Sequence, residues 1–203
     1  MSKVNLVWIT PDSEKLILRM ARVSSPDPHN EDTGLLKYLI KHKHWSPFEM
    51  ASMCVEINTS RAISAQIIRH RSFHFQEFSQ RYSEVNTVEV YRARRQDVKN
   101  RQNSVDDMTT EEINWFEGAQ NKVYETSIRL YRHALVKGIA KEQARMLLPM
   151  SSSTKLYMSG TLRDWIQYIN LRCEEGTQAE HREIAFKIRE IFKQQLPIIG
   201  ELI

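Results

Sequence analysis

The stretch Ser60-Arg61-Ala62-Ile63-Ser64-Ala65-Gln66-Ile67-Ile68-Arg69-His70-Arg71-Ser72-Phe73-His74-Phe75-Gln76-Glu77-Phe78-Ser79-Gln80-Arg81-Tyr82 decides how this chain is read. Ile63 and Ile67 stand four residues apart, the spacing of an apolar helix stripe. Gln66, Arg69 and His70 sit at i, i+3 and i+4, so a helix continued through them presents an amide, a guanidinium and an imidazole on another face. Beyond it, Arg69, Arg71 and Arg81 mix with His70, His74, Glu77 and several aromatic rings. Unpartnered charges of that kind are costly inside a core. They suit a surface that grips a flat anion, because arginine forks match phosphate or carboxylate oxygens and rings stack on planar groups. Histidine adds a group poised near neutral pH. The plainer alternative is a solvated helix end followed by a polar loop. The convergence of three different polar groups at one helix end favours a built site.

The chain has 203 residues and reads as a single domain over 1–203. No apolar run approaches the roughly 18 residues that a membrane span needs. Met1 to Trp8 lacks the apolar region of a signal peptide, so the expected location is cytoplasmic. The net charge of +4 fits an anionic ligand or a nucleic acid without choosing between them. Cys54 and Cys173, the only cysteines, are too few and too scattered for a disulfide framework or a zinc site. Cys54 lies in a strand-like run and reads as a small buried hydrophobe, and no local motif supports Cys173 as a nucleophile.

Residues 3–9 alternate as an opening strand, and Thr10-Pro11-Asp12-Ser13 reads as a helix start with Pro in the first turn. Leu35, Leu36, Leu39 and Ile40 predict a helix after Asp32 or Thr33, closed by His42-Lys43-His44. Residues 50–58 alternate as a half-buried strand, with Thr59 or Ser60 capping the helix that follows. A short strand is expected over 86–91 and an exposed loop over 92–108, where Arg92, Arg94, Arg95, Lys99 and Arg101 cluster. Thr109-Thr110-Glu111-Glu112 is a capping-box pattern. It opens a long helix whose stripe of Ile113, Phe116, Ala119, Val123, Leu130, Ala134 and Leu135 reads as core, and Gly138 ends it. A short helix over 142–148 stops at Pro149 and carries Arg145 among apolar residues, a placement that calls for a fixed anionic partner. Helices are also expected around Leu162, Trp165, Ile166 and Ile169, and from Ala179 to Phe192. The fold class is α+β, a small and mostly antiparallel sheet packed with several long helices.

Arg69-His70-Arg71 followed after seven residues by Ser79 resembles the signature of the flavin-dependent thymidylate synthases. Ala21-Arg22-Val23-Ser24, His44-Trp45-Ser46-Pro47-Phe48-Glu49, Glu142 to Pro149 and Asn170-Leu171-Arg172 fit the same family in the same order, so the resemblance spans about residues 20–195. It implies reductive methylation of dUMP to dTMP, with 5,10-methylenetetrahydrofolate as carbon donor and NADPH as reductant through FAD. It also implies a homotetramer with sites between subunits. By position, Ser46, Arg69, His70, Arg71 and Glu77 should contact FAD, with Arg163 and Gln167 towards its adenine end. Gln66, Arg69, Glu77, Ser79, Arg81, Arg145 and Arg172 should surround the nucleotide, Arg172 activating the uracil as the catalytic residue, and His44 should lie on the folate side. No metal is implied.

The chain departs from the family pattern at several positions. Ser46 replaces a common Thr and keeps the hydroxyl, Gln76 replaces a common Asn, and His74 stands where Ser is usual. Thr161-Leu162-Arg163 with Gln167 replaces Asn-Ala-Arg with a later Asn. Two rivals belong to other classes of activity. A small nucleic-acid-binding module using Arg69–Arg71 and the 92–101 cations predicts steeply salt-dependent affinity and no chromophore. A flavoprotein that has lost methylation predicts bound FAD without dUMP turnover. Neither accounts for the ordered motifs around Arg145 and Arg172.

Overall fold

The computed structural model describes residues 2–203. In chain order the elements are β1 (Lys3–Ile9), α1 (Ser13–Ala21), α2 (Gly34–Lys41), β2 (Ser52–Ser60), α3 (Arg61–Ile67), β3 (His74–Glu77), β4 (Arg95–Gln96) and β5 (Ser104–Val105). Then follow α4 (Thr110–Val136), α5 (Lys141–Ala144), β6 (Ser153–Thr161), α6 (Leu162–Arg172), α7 (Ala179–Gln195) and α8 (Pro197–Gly200). The fold is α+β, with a four-stranded sheet in the order β1-β2-β6-β3 and a separate antiparallel pair, β4 with β5. The strand expected over 86–91 is reduced to one bridge, Val88 to Ser152. Two sheet strands, β6 and β3, escape a reading by pattern. Alternation in β6 rests on Thr154, Leu156, Met158 and Gly160, only two of them large and apolar, and β3 is four residues long.

The chain divides into two compact units. One comprises residue 2 with 58–67 and 77–156. In it, Ile63 and Ile67 are buried on α3, and the Ser60 hydroxyl accepts from the Ile63 N–H at 3.4 Å. The capping box at Thr109 and Glu112 forms, and Gly138, at φ 78°, follows the end of α4 in the left-handed conformation glycine tolerates. Ile128, Tyr131 and Ala134 of α4 make a small core with Ala144 of α5. The predicted stripe is corrected in part: Ile113 and Ala134 are buried and Leu135 packs against this core, but Phe116, Val123 and Leu130 of the 27-residue helix are 38–54% exposed and are not core. The basic loop is a hairpin in which Arg92 pairs with Asp106, and Arg95 with Asp107 and Glu112.

The second unit comprises 3–57, 68–76 and 157–203. Leu162, Trp165, Ile166 and Ile169 of α6 and Ile184, Ile188 and Phe192 of α7 are all at most 1% exposed. Burial of each such side chain is worth about 1.5–3 kcal/mol. Trp165 donates its ring N–H to the Met53 carbonyl at 2.9 Å, so its one polar atom is satisfied inside the core. The Phe73 ring lies so close to Gly160 that a Cβ there would fall 2.6 Å from a ring carbon; only glycine admits the contact. The expected helix start at Pro11 is shifted. Asp12 is the N-cap residue, left-handed at φ 50°, and Pro11 precedes it. Its neighbour Glu14 accepts from the N–H groups of Ile198 and Ile199, both at 2.8 Å, and so caps α8.

Candidate active site

Helix α3 stops at Ile67, so Arg69 lies in the turn beyond it, His70 follows that turn, and the helical spacing drawn through Gln66, Arg69 and His70 is interrupted. Arg69 and Arg71 are exposed, and neither makes an ion pair among the described residues. His70 between them turns inward. Arg172, the last residue of α6, donates from Nε to His70 Nε2 at 2.8 Å. That nitrogen must therefore carry a lone pair, and His70 is neutral with its proton on Nδ1.

Three rings wall His70 in. Tyr168 meets it edge to face at a centroid distance of 4.9 Å, while Phe73 and His181 do so at 6.3 Å. Burial first, and the Arg172 charge second, push the His70 imidazole down to about 4. The same two causes, with His70 added, push His181 down to about 3. Burial raises the Tyr168 phenol far above its ordinary value. Three basic side chains meet here and only Arg172 is charged. With its Nε engaged, the guanidinium keeps its terminal N–H groups for another partner.

In the other unit the conserving of charge runs the opposite way. Glu77 ends β3, with one carboxylate oxygen accepting from Ser64 at 2.6 Å and from Thr154 at 3.0 Å. Its other oxygen pairs with Arg61 at 2.6 Å. Ser79 is exposed and opens a tight turn, its carbonyl accepting from the N–H groups of Tyr82 and Ser83. Arg81 pairs with Glu142 at 3.1 Å, and Lys141 donates to the Tyr82 carbonyl at 3.2 Å, which ties this turn to α5. Half-buried Arg145 donates from Nε to the Glu142 carbonyl at 3.3 Å and pairs with no carboxylate among the described residues, so the internal acid that would explain it is absent from its reach. Gln66 is half-buried on α3.

The remaining predicted contacts lie around the second unit's 3-10 turn, Ser46–Glu49. Ser46 is exposed at its first position, and exposed His44 precedes it, its ring near Tyr38 and His42. Arg163 pairs with Glu49, and Gln167 is exposed one turn further along α6. Thr161, one of the departures from the family pattern, is the N-cap of α6 and forms a capping box with Asp164. Asn caps as well as Thr, so the exchange preserves the helix start. His74 is exposed on β3. Burial raises both thiols, which argues against Cys173 as a nucleophile and fits Cys54 as core.

Sequence reasoning missed Arg61, Ser64 and Thr154, which hold Glu77, and Tyr168 and His181, which stand behind His70. A signal existed for His181. It falls on the buried face of α7 with Ile184, Ala185, Ile188 and Phe192, an imidazole where that face is otherwise apolar.

A family model described as thymidylate synthase complementing protein matches residues 5–198. The chain is 54% identical over 188 residues to the flavin-dependent thymidylate synthase of Synechocystis sp., covering 92% of this chain and 87% of that one. It is also 54% identical over 193 residues to a probable flavin-dependent thymidylate synthase of Paramecium bursaria Chlorella virus 1, covering 93% and 89%. Among solved structures it is similar to the UMP/dUMP methylase PolB of Streptomyces cacaoi bound with 5-Br dUMP, with a TM-score of 0.88 and 26% identity over 99% of this chain and 93% of that one. The motif residues, the α+β fold and these similarities lead to one conclusion: the chain belongs to the flavin-dependent thymidylate synthase family.

Proposed function

We propose that this enzyme methylates dUMP to dTMP, taking the methylene from 5,10-methylenetetrahydrofolate and reducing equivalents from NADPH through FAD. The observation that carries the reading is Arg172 held through Nε by neutral His70, with its terminal N–H groups left for a substrate. A guanidinium so oriented stabilises negative charge that develops on a uracil ring during reaction. The donor set fits anionic, planar ligands. Arg69, Arg71, Arg145 and Arg172 form no ion pair with a carboxylate among the described residues, and the hydroxyls of Ser46 and Ser79 are on exposed residues. Bound FAD would supply the electron transfer, and the protein orientation and charge. In this reading Ser46, Arg69, His70, Arg71, Arg163 and Gln167 hold the flavin, and Gln66, Arg69, Ser79, Arg81, Arg145 and Arg172 the nucleotide. His44 serves the folate. Glu77, already engaged by Arg61, Ser64 and Thr154, acts on either ligand by fixing those groups.

We also propose a homotetramer, supported by the exposed apolar residues of α4, since patches of that kind mark interfaces. No helix among the described residues is long and apolar enough to cross a membrane. The test is to add FAD to the purified protein, desalt it, and follow the flavin spectrum as dUMP is added. NADPH and 5,10-methylenetetrahydrofolate are then supplied and dTMP is measured by chromatography. Retained flavin, a dUMP-dependent spectral shift and dTMP formation are expected. Protein that retains no flavin and forms no dTMP would overturn the reading, and flavin retention without dTMP would identify a relative that has lost methylation.

A further inference from the structure

His181 is completely buried, yet only one of its ring nitrogens has a partner. Nε2 shares a hydrogen bond with the Tyr168 hydroxyl at 3.0 Å, while Nδ1 has none among the described residues. A leucine or isoleucine would continue the α7 stripe without bringing the orphaned Nδ1 that the imidazole carries, so the imidazole must be explained by the single bond it makes, the one that satisfies the Tyr168 hydroxyl. That bond fixes Tyr168, itself 1% exposed, and Tyr168 is the ring nearest His70. We infer that His181 is a positioning residue: through its bond to Tyr168 it holds the wall that keeps His70 a neutral acceptor, and so orients Arg172. The contact itself stands on this geometry, and its consequence for turnover rests on the function proposed above.

If the His181 bond is lost, the Tyr168 hydroxyl is left alone in an apolar interior, and the ring must tilt or admit water. Water beside His70 relaxes its desolvation and allows a proton onto Nε2. That proton would face the Arg172 Nε–H, so the 2.8 Å bond breaks and two cations repel. The titratable and charged groups acting on this cluster are Arg172, on both histidines and Tyr168, His70 on His181, and Cys173 on Tyr168.

The test compares His181→Leu with His181→Gln in the full chain. Leucine keeps the bulk and removes the polar atom, whereas the glutamine amide reaches close to where Nε2 stands. Nitrogen-resolved imidazole NMR follows the titration of His70, and kcat and KM for dUMP are measured across pH. His181→Leu should raise the His70 titration towards its ordinary value, move the acid limb of kcat upward with it, and lower kcat about tenfold or more with a smaller change in KM. His181→Gln should restore most of each. A His70 titration unchanged in His181→Leu, or leucine and glutamine variants that behave alike, would overturn the inference. Should His181→Leu fail to fold, Tyr168→Phe breaks the same bond from the other side and leaves both nitrogens of His181 unpartnered beside His70, a site that must then admit water and raise the His70 titration; an unchanged value there is equally fatal. If the wild-type chain makes no dTMP, the proposed function fails while the His70 titration still decides this inference.

Discussion

Around Glu77 each formal charge has been met: a carboxylate with three partners, and its arginine bound to it. Around His70 the opposite holds, for the rings exclude water, both imidazoles are neutral, and the one guanidinium has no carboxylate to answer it. Both clusters draw on the same short stretch between Ser60 and Arg81. The first spends its polar groups on each other and resembles a clamp in the sheet and helix framework. The second withholds one cation from neutralisation, and that cation is therefore available to a ligand. A site is marked here by the charge left over, not by the number of charges present.

The contrast is broken most directly at Arg172. Arg172→Ala should lower dTMP formation by about a hundred- to a thousandfold, the usual loss of one strong charge-stabilising donor. Flavin retention and the urea midpoint should change little. A stability loss as large as the loss of turnover would make the His70 cluster another clamp. At the other cluster the expectation reverses. Glu77→Ala leaves Arg61, Ser64 and Thr154 without their acceptor and should cost about 1–3 kcal/mol in urea unfolding. Glu77→Gln, which can still accept from the two hydroxyls, should cost less. Equal losses would mean the carboxylate's charge is what holds the clamp.

Acid provides a third probe, specific to the His70 side. His70 and His181 titrate at about 4 and about 3 when folded, below the ordinary 6.5. The unfolded chain therefore binds protons first as pH falls. Their contribution is complete above about 6.5 and is lost progressively down to about 4 for His70 and about 3 for His181. Between about pH 6.5 and about pH 5 the loss should be about 1–2 kcal/mol once solvent access to His70 is discounted. Urea titrations at the two pH values measure it, and His181→Gln should remove part of the slope. The smallest effect is at the start of α6, which carries both Tyr168 and Arg172. Thr161→Ala should cost about 1 kcal/mol by thermal melting, and Thr161→Asn only a few tenths.

Much of the framework is legible by eye. Ile63 with Ile67, the 162–169 stripe, the 109–112 capping box and Gly138 each predict their element, because a helix face or a cap is a local pattern set by spacing alone. The names of the site residues are legible too, through Arg69-His70-Arg71 and Ser79. What those residues do to one another is not. Seventy-seven residues separate Thr154 from Glu77, and 102 separate Arg172 from His70. No periodicity spans such distances. His181 looks like a polar interruption of a core stripe, and Glu77 looks like a free acid.

Local pattern suffices for most of the helices, for the cap at Thr109 and the stop at Gly138, for the family and for the inventory of charged groups. Which charges are cancelled and which survive follows from packing in three dimensions. The physical reason is that periodicity records local burial, whereas the state of a charge depends on the water removed and the partners supplied by packing of segments far apart in the chain.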